Sequence, residues 1–74
     1  MEIKSNAGYE IIRRERVGNK EFLLGYNSEA PSRYVTWKNN YGEMNPYWGR
    51  YFSDERSAIK NFNRRVKEER EIER

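Results

Sequence analysis

The chain has 74 residues, of which 36% are charged and only 35% hydrophobic, with a formal net charge of +3 and a pI near 9.3. It has no Cys and no His, which excludes disulfide staples, thiolate and imidazole catalysis and the commonest zinc sites. At this size one hydrophobic core only just outweighs chain entropy, so six Tyr, three Phe and two Trp, each burying about 150–250 Å² when packed, must supply what scarce aliphatics do not.

Residues 1–7 read as a loose polar lead-in. With no apolar run behind a basic stub, and Phe22-Leu23-Leu24 as the longest aliphatic or Phe cluster, neither a signal peptide nor a membrane span is expected, and a cytoplasmic location fits. Residues 9–17 and 20–26 then read as two strands joined by Gly18-Asn19, a hairpin signal in which Gly supplies the positive φ at the first position of a type II′ turn. Pairing Val17 with Lys20 puts Tyr9, Ile11 and Val17 on one face with Phe22, Leu24 and Tyr26, which is the expected core face. The other face then shows Glu10, Ile12, Arg14, Arg16, Glu21 and Leu23, with Arg16 across from Glu21 as an expected ion pair. Arg13 and Glu15 fall on the core side, where their heads must reach water from an edge.

Residues 27–32 have loop composition, residues 33–38 form a third strand rich in β-branched and aromatic side chains, and residues 39–46 form a second loop with Gly42 at a positive-φ position. Residues 47–52 (YWGRYF) are the fourth strand, with Trp37, Trp48 and Phe52 expected inward at the cost of crowding Arg50. Ser53 is the expected N-cap of a helix running to residue 74, with Asp54 and Glu55 suited to its dipole. A helical wheel clusters Ala58, Ile59, Phe62 and Val66, so docking is expected to stop near Val66 and the last two turns to project or fray. The whole reads as one α+β domain: residues 8–52 forming an antiparallel sheet of three or four strands, and residues 53–74 forming one C-terminal helix packed on one face.

Two constellations could carry function. Arg56, Lys60, Arg64 and Lys67 form a basic stripe opposite Phe62, which either contacts phosphates or is a solvated face partly neutralised by Arg64–Glu68 and Lys67–Glu71 pairs. On the sheet, Arg14, Arg16, Tyr34, Thr36, Lys38, Tyr47 and Tyr51 are candidates for outward-facing groups that stack bases or enter a groove. The paired carboxylates Asp54-Glu55 and Glu68-Glu69 come with no nucleophile, His or Gly-rich phosphate cradle, so no enzymatic activity, metal or cofactor is expected.

The run YEIIRRERVGNKEFLLGYN…APSRYVTW…YWGRYF…A…F..R, roughly residues 9–65, resembles a small domain of bacterial conjugative transposons and related mobile elements, a resemblance that implies a genomic setting and no mechanism. The run YWGRYFSDERSAIKNFNRR is similar to the end of the βββα DNA-binding domains of plant ethylene-response-factor proteins and of tyrosine-integrase arm-binding domains. Gly49, Phe52, Ala58 and Phe62 match that pattern with one residue inserted before Phe52, whereas Glu10, Glu21 and Glu43 depart from its Arg- and Trp-rich strands. This second resemblance implies a sheet laid into a DNA groove with the helix behind it. The expected function is therefore a non-enzymatic, nucleic-acid-binding module of a mobile element. Arg14, Arg16, Lys38 and Arg50 would meet phosphates or base edges, and Tyr47 or Tyr51 would stack. The alternative is a protein-interaction module, self-associating or inhibiting a host protein, built on the same aromatics or on the KEEREIER end with Ile72 as anchor. A monomer or weak homo-oligomer away from membranes fits both.

Overall fold

The computed structural model describes residues 3–72, which form an antiparallel meander of five strands followed by one helix. The strands are β1 (Ser5–Asn6), β2 (Tyr9–Val17), β3 (Lys20–Tyr26), β4 (Tyr34–Asn40) and β5 (Tyr47–Phe52), and the helix is α1 (Glu55–Ile72). The α+β architecture agrees with the sequence reading, with one more strand than the three or four expected. That strand comes from the supposed lead-in: Ala7 and Gly8 both have positive φ and turn Asn6 back onto Tyr9, while Ile3 is buried. Ala at a left-handed position is an uncommon turn signal, which is why the polar segment reads as a loop in the sequence. Met1 and Glu2, and the expected helix end at Glu73 and Arg74, lie outside the described residues.

The Gly18-Asn19 hairpin forms as read. Val17 pairs with Lys20, and Gly18 alone of the two loop residues has a positive φ, as a type II′ turn requires. The face assignment holds only for part of β2. Between Ile11 and Arg13 the register shifts, because Ile12 is an extra residue opposite a continuous β3. The bulge sends Tyr9 and Ile11 to the opposite face from Val17, correcting the expectation of one core face. Residues on both sides of the sheet are consequently buried.

On the helix side, Val17, Phe22, Leu24, Ala58, Phe62 and Val66 form one cluster, flanked by Tyr34, Phe52 and Ile59. On the other side, Ile3, Tyr9, Leu23, Val35 and Trp37 form a second, flanked by Ile11 and Ala30. The rings of Tyr9 on β2 and Tyr51 on β5 lie 6.1 Å apart although two strands separate them, so the sheet curls around this second cluster. Leu23, expected on a solvent face, is fully buried here. Trp37 is 4% exposed and meets Tyr9 edge to face at 5.8 Å.

The helix starts one residue later than expected. Asp54, not Ser53, is the N-cap: its Oδ2 accepts the Ser57 N–H at 2.9 Å, satisfying a first-turn donor that has no partner within the helix. Docking also continues about one turn beyond Val66. Glu69 is buried against Lys38 at 3.0 Å, and Arg70 reaches Glu15 at 2.6 Å, so two ion pairs hold a stretch with no apolar face of its own. Arg13 and Glu15, the misfits of the core side, are accommodated at the edge, Arg13 over the Phe62 ring at 5.5 Å. No helix among the described residues is long and apolar enough to cross a membrane.

Two measurements check this packing. A Cβ at Gly25 would lie 2.9 Å from Trp37 Cζ3, 3.0 Å from Tyr9 Cβ and 3.1 Å from Val35 Cγ1, so Gly25→Ala should lower the unfolding free energy by about 1–3 kcal/mol in urea titration. The hydrogen bonds from the Ser57 backbone and side chain hold the Asp54 carboxyl below its ordinary value. Its charge therefore stabilises the fold above the unfolded-state value of about 3.9, and the contribution is lost as pH falls through the lower folded-state value. Thermal melts should show the parent more stable than Asp54→Asn at neutral pH, with the gap closing in acid.

Candidate functional site

The six residues singled out on the sheet are not gathered on one surface. Arg14 and Arg16 face the second cluster's side of β2. Arg14 is half-buried, donates to the Ile3 carbonyl and lies 3.5 Å from Glu21 Oε2; Arg16, whose Cα does pair with Glu21, instead stacks its guanidinium 3.7 Å from the Tyr41 ring centroid. The expected Arg16–Glu21 ion pair is thus replaced by Arg14–Glu21. The buried Glu21 also accepts from Asn39 Nδ2 at 3.3 Å, and Asn39 in turn holds the 41–46 loop through the Glu43 carbonyl and the Asn45 N–H. Tyr51 is exposed on that same side of the sheet.

Lys38, Tyr47 and Arg50 face the helix side instead. Lys38 is engaged with Glu69, Tyr47 donates to Asn40 Oδ1 at 3.1 Å, and Arg50 is exposed. Thr36, expected to face outward, is buried and donates to Asn61 Oδ1 at 2.6 Å, tying β4 to α1. The alternation along β4 makes this distribution unavoidable: Val35, Trp37 and Asn39 occupy one face and Tyr34, Thr36 and Lys38 the other.

What the fold does bring together is Arg50 and the helical stripe. The outer strand β5 and the flank of α1 enclose an open groove of about 540 Å³ with Phe52 and Asn61 at its base and Arg50, Lys60, Arg64 and Lys67 around it. None of the residues lining it is acidic. The ion pairs among the described residues are Arg14–Glu21, Lys38–Glu69 and Arg70–Glu15, so neither Arg64–Glu68 nor Lys67–Glu71 closes to neutralise the stripe. Arg65 lies beside Arg50 and Arg64. Its guanidinium is held below its ordinary value, first by burial and then by the charges of Arg50 and Arg64.

Arg65 also marks the unusual point of β5. Its Nη2 donates to the Trp48 carbonyl at 2.7 Å, and Trp48 sits at φ +57°, in the left-handed region. The β4–β5 register shifts here because Trp48 and Gly49 together oppose Trp37, a bulge whose left-handed first position is normally taken by Gly. Instead of pointing inward as expected, the indole is 69% exposed, 5.2 Å from Lys38 Nζ and edge to face with Tyr47. The bulge follows from Trp37: a Cβ at residue 49 would meet its Nε1 at 3.0 Å, so β5 passes with a glycine there and the extra residue is displaced outward. From sequence, Tyr47 and Tyr51 are the expected stacking residues and Trp48 is expected inside; the adjacent Gly49 is the signal that the strand is irregular.

Among the described residues no group of three or more acidic side chains is placed to hold a metal ion. Comparison with family models, curated proteins and solved structures found no match.

The strain at residue 48 is testable. Relief of about 1 kcal/mol of left-handed strain should offset most of the ring's few surface contacts in Trp48→Gly, leaving unfolding within about 1 kcal/mol of the parent. Trp37→Ala, in the buried cluster, should cost about 3–5 kcal/mol by the same denaturant titration.

Proposed function

We propose that this chain is a small non-enzymatic module that binds nucleic acid through the groove between β5 and α1, with its cations placed on phosphates. The observation that carries this reading is the set Arg50, Lys60, Arg64 and Lys67, four cations around one groove whose lining contains no carboxylate. The three ion pairs among the described residues all lie outside this groove. Leaving four like charges together costs stability through mutual repulsion, a cost that an anionic backbone reverses. A setting in a mobile genetic element accords with this reading but is not needed for it.

The contact differs from the sheet-face arrangement that the βββα resemblance implies. Arg14 is engaged with Glu21 and the Ile3 carbonyl, and Lys38 is turned to the helix, which removes two of the four cations that model requires. What remains on that side, Arg16 and Tyr51, lies away from the groove.

Binding should therefore fall steeply with salt. Lys60→Gln with Arg64→Gln should weaken it and make the slope of log K against log salt shallower by about 1.5–2, as removal of two phosphate contacts predicts. Arg14→Ala with Arg16→Ala should leave the slope unchanged. Fluorescence anisotropy with a labelled oligonucleotide at several salt concentrations measures both, and a loss confined to the Arg14 and Arg16 variant would move the contact to the other side of the sheet.

A further inference from the structure

We infer that Trp48 is a base-stacking platform and that the β5–α1 seam accordingly takes single-stranded rather than duplex nucleic acid, an inference that rests on the nucleic-acid reading above. Three observations converge on the ring. It occupies a backbone position suited to glycine, yet an indole stands there with its φ in the left-handed region. Strain of this kind persists where surrounding structure holds it, here through the Arg65 donation to the Trp48 carbonyl. The ring is 69% exposed, whereas the other tryptophan is 4% exposed, so Trp48 is not serving the core.

The surroundings specify how a strand would lie. Beside Trp48 the seam forms a shelf lined also by Phe22, Lys38, Arg65, Glu68, Glu69 and Ile72. Glu69 is paired with Lys38, and Glu68 offsets the charge of Arg65, so this shelf carries no net charge and suits the faces of bases. Further along the same seam lie Arg50, Lys60, Arg64 and Lys67, which suit the backbone. A strand following the seam thus keeps its phosphates on the cations and lays a base on the indole. The bases of a duplex are already stacked on one another and cannot use the ring, whereas every unpaired base has a free face.

The test is a titration of the full chain with a mixed-sequence single strand of about fifteen nucleotides and with the corresponding duplex, read by anisotropy and by tryptophan emission. The expected result is tighter binding of the single strand, accompanied by quenching of the exposed indole. Trp48→Gly, checked to be folded by its thermal melt, should lose about 5- to 150-fold in affinity for the single strand and almost none for the duplex, while Trp48→Phe retains most of it. A folded Trp48→Gly protein that binds the single strand like the parent overturns the platform, even where salt-sensitive binding upholds the groove. Absence of binding to either oligonucleotide overturns both readings. A blue shift of tryptophan emission with protein concentration alone, before any oligonucleotide is added, would show the ring covered by a second copy and would also overturn the platform.

Discussion

The arrangement of this sheet depends on how room is made for one indole. Trp37 lies in the middle of β4, buried on the face away from the helix, and its ring lies against a glycine on each adjacent strand. Gly25 on β3 lets the ring lie against the strand, where a Cβ would come within 2.9 Å, and Gly49 on β5 does the same where a Cβ would come within 3.0 Å. Tyr9 then closes over the ring edge to face, and Tyr51 follows from the outer strand, so the sheet curls around Trp37. The bulge in β5 is part of this accommodation, since two residues pass where the register allows one. Trp48 is displaced to the surface as a result. Burial of one tryptophan and exposure of the other are thus one structural event.

A second consequence is that the chain has two small apolar clusters instead of one large core. A thin sheet with a helix on one side would leave Leu23, Val35 and Trp37 open to water. The N-terminal residues prevent this by folding back through the Ala7-Gly8 turn to place Ile3 among them. For a chain of this size the added apolar burial matters, because each buried large side chain contributes about 1.5–3 kcal/mol against a chain entropy of nearly equal total magnitude. The Ile12 bulge makes the arrangement feasible within one strand, with Val17 serving the helix side and Tyr9 the other.

Charge is distributed as unevenly as apolar area. Carboxylates on the sheet and on the last turns of the helix are used as anchors: Glu21 holds Arg14 and Asn39, Glu69 holds Lys38, and Glu15 holds Arg70. These contacts join elements that lack apolar surface, and they dock the helix past the point where its hydrophobic residues end. In the middle of the helix, by contrast, Lys60, Arg64 and Lys67 stand beside Arg50 around a groove with no carboxylate in its lining. The basic groove therefore arises from which side chains the seam of β5 and α1 brings together.

Much of the fold was legible in the residues themselves. The Gly18-Asn19 hairpin, the strand-rich runs around Val35 and Tyr51, and the Ala58–Phe62–Val66 helical stripe follow from local turn chemistry and periodicity, which depend on neighbours in sequence. The basic stripe of the helix was equally visible, because its spacing places those side chains on one face whatever they pack against. The two bulges were not legible, since each exists to satisfy contacts between strands distant in sequence, and each changes the face of the residues beyond it. Tertiary structure alone decided that Lys38 turns to the helix, that Arg14 is engaged, that Arg50 joins the helical cations and that Trp48 is the exposed indole. Local sequence determined which elements form and the charge each carries; packing around Trp37 determined which of their side chains share a surface.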